Sequence, residues 1–185
     1  IDPITTYFYK GTETVLATKD ELVKQLPFLN KKFLSYHDFA KAGITDLLSE
    51  EKLDKAGKKQ VFTLETTYFE NQGNLAFKAT ALPQMAQISS VKSIITEDFN
   101  SDGLLDILLL GNDSEISTQL GRLDASHGVF LLNTGSGFNY TGNHTIDIRG
   151  AVRSNSKLKI KDDLFYIIGR NNDKPLFIRK ETAHD

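Results

Sequence analysis

The sequence predicts a mainly β protein that carries a helical insertion near its amino terminus. Short runs rich in β-branched and aromatic residues alternate with turn residues along most of the chain. Between residues 18 and 57, the apolar residues instead follow helical spacing. After residue 58, several features recur at an interval of about 60 residues, which is expected of repeated β units.

Residues 1–17 are predicted to form a strand pair that belongs to one β unit. The segments Thr5–Lys10 and Thr14–Ala17 have the composition of strands, and Gly11-Thr-Glu between them is typical of a turn.

Residues 18–57 are predicted to form the helical insertion. Thr18 and Glu21 make a capping-box sequence, and Pro27 ends or kinks the helix that the box opens. Ser35 and Ser49 can cap further short helices. The charged residues of this region are expected to form a solvated helix surface rather than a partner-binding face. An apolar stripe should pack on the β part; it consists of Leu22, Val23, Leu26, Leu29, Phe33 and Leu34.

Residues 58–185 are predicted to be β, beginning with a strand over Val61–Phe69. The turn sequence Asn71-x-Gly73 followed by Phe77 recurs as Asn133-x-Gly135 followed by Phe138, and Val91-Lys-Ser recurs as Val152-Arg-Ser. An interval of about 60 residues can hold about four short strands, which is typical of a propeller blade. Two such units are fewer than the roughly four that a closed propeller needs. We therefore expect a partial β-propeller whose sheet edges pair with another chain or with further sequence of the same polypeptide.

The segment from Val91 to Asp113 contains a predicted calcium loop between two strands. Its pattern, D-x-N-x-D-G-x-x-D, places oxygen ligands at alternate positions, and Gly103 permits a sharp turn. Three carboxylates this close repel one another, and a divalent cation relieves that repulsion. The sequence therefore predicts one structural Ca²⁺. The expected ligands are the side chains of Asp98, Asn100, Asp102 and Asp106 and the carbonyl of Leu104.

Other interpretations of this loop are less consistent with the sequence. An EF-hand needs a glutamate at loop position twelve, but that position is Leu109, within a short apolar run that favours a buried strand. A solvated Asn/Asp/Gly turn is the remaining alternative, although such a turn does not require Asp106. The corresponding part of the second repeat, Lys159-Ile-Lys-Asp-Asp, has lysines near the ligand positions, so we expect one calcium site and not two.

The segment Asp98-Phe-Asn-Ser-Asp-Gly-Leu-Leu-Asp-Ile, together with the Asn-x-Gly turns, resembles the FG-GAP/VCBS repeats of integrin-like β-propellers. Leu22–Ala42, Gly121–Ser126 and Arg170–Asp173 resemble the later part of VCBS-repeat, ASPIC/UnbV-associated surface proteins of Bacteroidetes-type bacteria. This resemblance implies export to the extracellular or outer-membrane surface. Proteins of that kind are often lipoproteins near outer-membrane uptake machinery.

Composition argues against several functional classes. A net charge of −2 and a pI of about 6.1 give no broad attraction to nucleic acid or anionic membranes. Without cysteine there are no disulfides, thiolate zinc sites or cysteine nucleophiles. No apolar run approaches the ~20 residues of a transmembrane helix. Because the chain opens at Ile1-Asp-Pro without an initiator methionine or a signal peptide, we expect a processed product or part of a longer polypeptide.

Four other polar features of the sequence do not indicate a catalytic or zinc site. Gly121–His127 brings Arg, Asp, Ser and His together in sequence, but without a nucleophile elbow we expect an Arg122–Asp124 network that fixes the loop. Arg170–Asp173 is expected to be a polar turn. The histidines have no metal-binding spacing; they are His37, His127, His144 and His184. Three asparagines begin glycosylation sequons, namely Asn112, Asn139 and Asn143.

These observations favour a non-enzymatic, calcium-stabilised propeller segment that acts as a binding or scaffolding module at the bacterial cell surface. Its expected partners are other protein chains or the rest of its own polypeptide, and a glycan is a further candidate. A propeller-based polysaccharide-active enzyme is one alternative, although only isolated carboxylates such as Glu115 and Asp124 are present for it. An accessory subunit of an outer-membrane uptake complex is another.

Overall fold

The computed structural model describes residues 3–116, 121–142, 146–161 and 163–180. The chain divides into two compact units, residues 1–62 and 63–185. His144, His184 and the sequon asparagine Asn143 lie outside the described residues.

The first unit begins with an antiparallel hairpin of β1 (Thr6–Tyr9) and β2 (Thr12–Val15). Lys10 and Gly11 form its turn, with φ of +49° and +84°, as a two-residue hairpin turn of the primed type requires. Five short helices follow: α1 (Lys19–Gln25), α2 (Leu29–Lys32), α3 (Tyr36–Lys41), α4 (Ile44–Leu47) and α5 (Glu50–Asp54).

Local hydrogen bonds explain where these helices begin. Thr18 and Glu21 form the predicted capping box, in which Thr18 N donates to the Glu21 carboxylate at 2.9 Å. Ser35 caps α3 by accepting a hydrogen bond from Asp38 N at 3.0 Å. Ser49, in contrast, makes no side-chain capping bond in front of α5.

The helices and β2 enclose one apolar core. Val15 of β2 is buried together with Leu22, Leu29, Phe39 and Leu47. The prediction was wrong for Leu34, which is 86% exposed. Because α2 ends at Lys32, Leu34 lies in an extended connection where helical spacing no longer places it on the apolar stripe.

In its described ranges, the second unit contains three antiparallel sheets, none of them closed. The first is a hairpin of β3 (Thr67–Gly73) and β4 (Ala76–Ala81), and a 3₁₀ helix (Gln84–Gln87) follows it. The next four strands are β5 (Val91–Glu97), β6 (Asp106–Gly111), β7 (Val129–Asn133) and β8 (Phe138–Asn139), and they form the second sheet in the order β5-β6-β7-β8. The last three strands are β9 (Val152–Ile160), β10 (Asp163–Arg170) and β11 (Leu176–Lys180), and they form the third sheet in the order β9-β10-β11. The prediction of a mainly β protein is confirmed.

The first predicted strand of this unit begins later than its composition suggests. Pairing of β3 with β4 starts at Thr67, opposite Ala81, because the partner strand ends there and the chain turns into the 3₁₀ helix. Val61, Phe62 and Leu64 are therefore outside any strand and are 72–92% exposed.

Strand β6 carries apolar side chains on both faces, and each face packs into a separate apolar core. Leu108 and Leu110 pack into a core with Tyr166 and Ile168 of β10. Ile107 and Leu109 point to the opposite face, where Leu109 packs with Leu82 and Ala86 before β5. Alternation along the strand thus places its leucines in two different cores.

The residues that recur at an interval of about 60 lie at the ends of strands. Val91 and Val152 are the first residues of β5 and β9. Asn71 and Asn133 occupy the β3–β4 and β7–β8 turns, and each side chain accepts a 2.9 Å hydrogen bond from the glycine N–H two residues later.

Candidate metal centre

The predicted calcium ligands lie in and beside an eight-residue connection between β5 and β6. We call residues 98–106 the acidic loop. Asp98 Oδ1 and Asn100 Oδ1 each accept a hydrogen bond from Asp102 N at 3.1 Å. Gly103, with φ of +86°, donates its N–H to Asp98 Oδ2 at 2.9 Å. The turn therefore brings Asp98, Asn100 and Asp102 together.

Leu104 and Asp102 continue this network. Leu104 N donates to Asp102 Oδ1 at 2.8 Å, and the Asn100 amide donates to Asp102 Oδ2 at the same distance. The side-chain oxygens of the first three predicted ligands thus fold over the backbone N–H groups of the loop.

Asp106 has a different environment, because it is fully buried at the start of β6. Its Oδ2 accepts a hydrogen bond from Phe99 N at 3.1 Å, and its Oδ1 accepts one from Asn133 N at 2.9 Å. The carboxylate therefore joins the acidic loop to the end of β7. A plain acidic turn also accounts for Asp106, which the sequence argument did not anticipate.

The donor set fits calcium in its chemistry. All the predicted ligand atoms are hard oxygens, which Ca²⁺ prefers, and an ionised carboxylate can accept about four hydrogen bonds. Asp98 and Asp106 each accept two, so both retain capacity for a cation. Within the described ranges, however, no three acidic or histidine side chains converge into a metal-binding group.

Lysines from the third sheet reach the base of the acidic loop. Lys180 Nζ donates to the Asp98 carbonyl at 2.7 Å and lies 3.5 Å from Glu97 Oε1. Lys157 Nζ lies 2.5 Å from Glu97 Oε2, which also accepts a 2.8 Å hydrogen bond from the Tyr166 hydroxyl. Sequence reasoning missed this cluster because Lys180 is 82 residues from Asp98, and only the fold brings them together.

These contacts shift the pKa values of Glu97 and Tyr166. The hydrogen bond from Lys157 is the largest cause that lowers the pKa of Glu97; burial opposes it, and smaller contributions from Tyr166 and Lys180 lower the pKa further. Burial, followed by the hydrogen bond to Glu97, raises the pKa of Tyr166, so this hydroxyl remains a donor.

We expect Glu97→Gln to lower the free energy of unfolding by about 1–2 kcal/mol at neutral pH. A depressed folded-state pKa stabilises the protein above the unfolded-state pKa, and this stabilisation is lost as pH falls through the folded-state value. The difference between wild type and variant should therefore shrink as the pH is lowered from 6 towards 3. Urea denaturation followed by circular dichroism measures it; a difference that stays constant with pH would contradict the prediction.

A buried asparagine organises the opposite end of β6. The Asn112 side chain is buried, and its Nδ2 donates to Ser126 O at 2.6 Å and to Gly150 O at 3.2 Å. Its Oδ1 accepts from Ser126 N at 3.0 Å and from Ser89 Oγ at 2.8 Å. This network holds the segment that precedes β7.

The Arg122–Asp124 network expected there is not formed. Both residues are exposed, and within the described ranges no ion pair or hydrogen bond joins them. Asn112 performs the fixing role instead. The signal that could have identified it is its position directly after the β6 glycine, where a left-handed residue with φ of +77° is needed and asparagine is tolerated.

Asp113, the residue after Asn112, forms two ion pairs. Lys92 and Arg153 lie 3.1 Å and 3.2 Å from the Asp113 carboxylate. The hydrogen bond from Lys92 is the largest cause that lowers the pKa of Asp113. In the turn between β10 and β11, Arg170 lies 2.9 Å from Asp173 and donates to Lys174 O at 2.8 Å.

Comparison with protein-family models, curated proteins and solved structures finds no match to this chain. None of the helices in the described ranges is long and apolar enough to cross a membrane. The assignment of function therefore depends on the sequence, the sheets and the acidic loop.

Proposed function

We propose that the chain is a non-enzymatic, calcium-stabilised part of a β-propeller that serves as a binding or scaffolding module at the bacterial cell surface. The observation that carries the calcium assignment is the convergence of Asp98 Oδ1 and Asn100 Oδ1 on one backbone N–H, each at 3.1 Å. Two oxygens gathered at one point, with two further carboxylates in the same loop, form a donor set suited to a hard cation.

The order of the sheets supports the propeller part of the proposal. The β5–β8 sheet is covered on one face by the third sheet and on the other by the β3–β4 side of the unit. The β3–β4 hairpin packs Tyr68 against Phe138, with ring centroids 5.1 Å apart. Successive antiparallel sheets that pack face to face are typical of propeller blades.

The two outermost faces of this series of sheets carry exposed apolar side chains. Phe69 and Phe77, on the hairpin face opposite Tyr68, are 57% and 59% exposed. On the outer face of the third sheet, Ile160 and Phe177 are 50% and 64% exposed. Apolar faces of this kind support partners that supply further sheets, either from other chains or from the same polypeptide. This is also why we favour a scaffold over an enzyme.

The surface location rests on the FG-GAP/VCBS resemblance and on the affinity range of calcium sites. Extracellular modules commonly bind calcium at about 10⁻⁴–10⁻³ M, a concentration available outside the cell. A glycan bound by the complete propeller fits the same location.

Calcium should raise the melting temperature of the wild type by several degrees, because a ligand at 100 times its dissociation constant stabilises the folded state by about 2.7 kcal/mol. Asp98→Ala should abolish this rise, whereas Asp124→Ala, which removes an exposed carboxylate outside the acidic loop, should retain it. Mg²⁺ should substitute poorly because it requires a tighter octahedral site. Scanning calorimetry and titration calorimetry measure both effects.

The calcium assignment is wrong if titration detects no binding at millimolar calcium, or if EDTA leaves the melting curve unchanged. The absence of enzymatic activity has a separate test. Purified protein should bind on a glycan array or bind a protein partner without releasing reducing sugar, and sugar release would instead support the polysaccharide-active enzyme.

A further inference from the structure

Lys180 is placed by the fold where it can act on the acidic loop. It is the last residue of β11 and pairs with Leu164, so its side chain leaves the sheet on the same face as Tyr166. Its ammonium donates to the Asp98 carbonyl at 2.7 Å and lies 3.5 Å from Glu97, and its side chain is only 24% exposed. The lysine is therefore held against the loop rather than extended into solvent.

Carboxylates outnumber the lysines that contact this region. The acidic loop contains three carboxylates within nine residues, and Glu97 precedes it directly. Lys157 interacts with Glu97 Oε2, on the side of the carboxylate away from the oxygen that Lys180 approaches. Lys180 thus supplies positive charge that contacts both the loop backbone and Glu97.

We propose that Lys180 is a built-in counter-ion of the acidic loop, which partly neutralises the loop carboxylates when no cation is bound and weakens the binding of Ca²⁺. The inference rests on the proposed function, since it concerns the same calcium loop. A fixed positive charge beside the loop reduces the repulsion among the carboxylates. The same charge opposes a divalent cation that enters the loop, and low exposure limits the screening of this opposition by water.

In this role, Lys180 changes how tightly the loop binds calcium but not which residues are its ligands. A loop with three carboxylates and no neighbouring cation would bind calcium more tightly and would be less stable without it. With Lys180 in place, the loop tolerates the ion-free state and responds to higher calcium concentrations. The site is thereby adjusted to the millimolar range that we propose for its location.

The test compares four variants with the wild type. Lys180→Met removes the charge but keeps most of the side-chain length, Lys180→Gln is a second neutral variant, and Lys180→Arg retains the charge. Lys174→Met removes an exposed lysine from the β10–β11 turn, at the opposite end of the sheet from Lys180, and controls for the change in net charge. Titration calorimetry gives the calcium dissociation constant at low and high salt, and scanning calorimetry in EDTA gives the ion-free melting temperature.

Both neutral variants should bind calcium about 3- to 10-fold more tightly than the wild type at low salt, and should melt at lower temperature in EDTA. Lys180→Arg and Lys174→Met should remain close to the wild type. The gain in affinity should shrink at high salt. If the wild type binds calcium but the neutral variants bind equally or more weakly, Lys180 only positions the loop and the inference fails. A wild type that binds no calcium overturns the proposed function itself.

Discussion

Asp106→Ala should lower the free energy of unfolding of the second unit by about 3 kcal/mol even in EDTA. The substitution leaves the N–H groups of Phe99 and Asn133 without the carboxylate that accepts their hydrogen bonds, at a position that is fully buried. An unsatisfied buried donor costs about 1–3 kcal/mol, and two are created here. Urea denaturation in the presence of EDTA measures the loss.

Asp98→Ala is the matched comparison. Asp98 is partly exposed. The N–H groups that donate hydrogen bonds to its carboxylate lie in an exposed turn, where water can accept those bonds instead. Its loss in EDTA should be about 1 kcal/mol or less. In saturating calcium, Asp98→Ala should lose the additional stabilisation by the ion. If Asp106→Ala is as stable as the wild type in EDTA and is impaired only in calcium, Asp106 acts solely as a metal ligand.

Asn112→Ala should be destabilising by about 3–4 kcal/mol. It removes four hydrogen bonds from a buried side chain and deprives the Ser126 N–H and carbonyl of their side-chain partner, whereas the Gly150 carbonyl keeps its bond from Val152 N. Asn112 also has a φ of +77°, a region in which alanine is less favourable than asparagine. Chemical denaturation and hydrogen exchange at the Ser126 amide should both detect the change.

Asn139→Ala provides the control for this prediction. Asn139 is an exposed residue of the short strand β8, so its substitution should change stability by about 0.5 kcal/mol or less. Equal effects of the two substitutions would show that the Asn112 network does not hold the segment before β7.

The features that sequence predicted correctly depend on neighbouring residues. Thr18 and Glu21 are three residues apart and cap a helix through local hydrogen bonds, whatever the rest of the chain does. The apolar run after Asp106 indicates a strand that is buried on both faces. In the acidic loop, alternate oxygen-bearing side chains fold over nearby N–H groups, so Asp98, Asn100 and Asp102 come together as the spacing predicts.

The features that sequence missed depend on distant partners or on where an element ends. Leu34 continues a helical pattern, but the helix has already ended at Lys32. Phe62 belongs to a strand-like run that has no strand opposite it. Lys180 contacts a residue 82 positions away, which no local pattern indicates. The local sequence marks Asn112 as a left-handed turn position but does not indicate its partners 14 and 38 positions away.

The double burial of β6 has a consequence for how the chain finds its correct pairing. In a strand with one apolar face, slipping by one residue turns apolar side chains outward and is penalised at once. The run Ile107–Leu110 gives no such penalty, because its side chains are apolar on both faces. The two ends of the strand must therefore specify alignment. A slip would remove the Asp106 carboxylate from its two N–H partners, and it would replace Gly111, where a Cβ would lie 1.7 Å from the Ser90 carbonyl, with a larger residue. Asp106 and Gly111, at the two ends of β6, thus specify the pairing register of this strand.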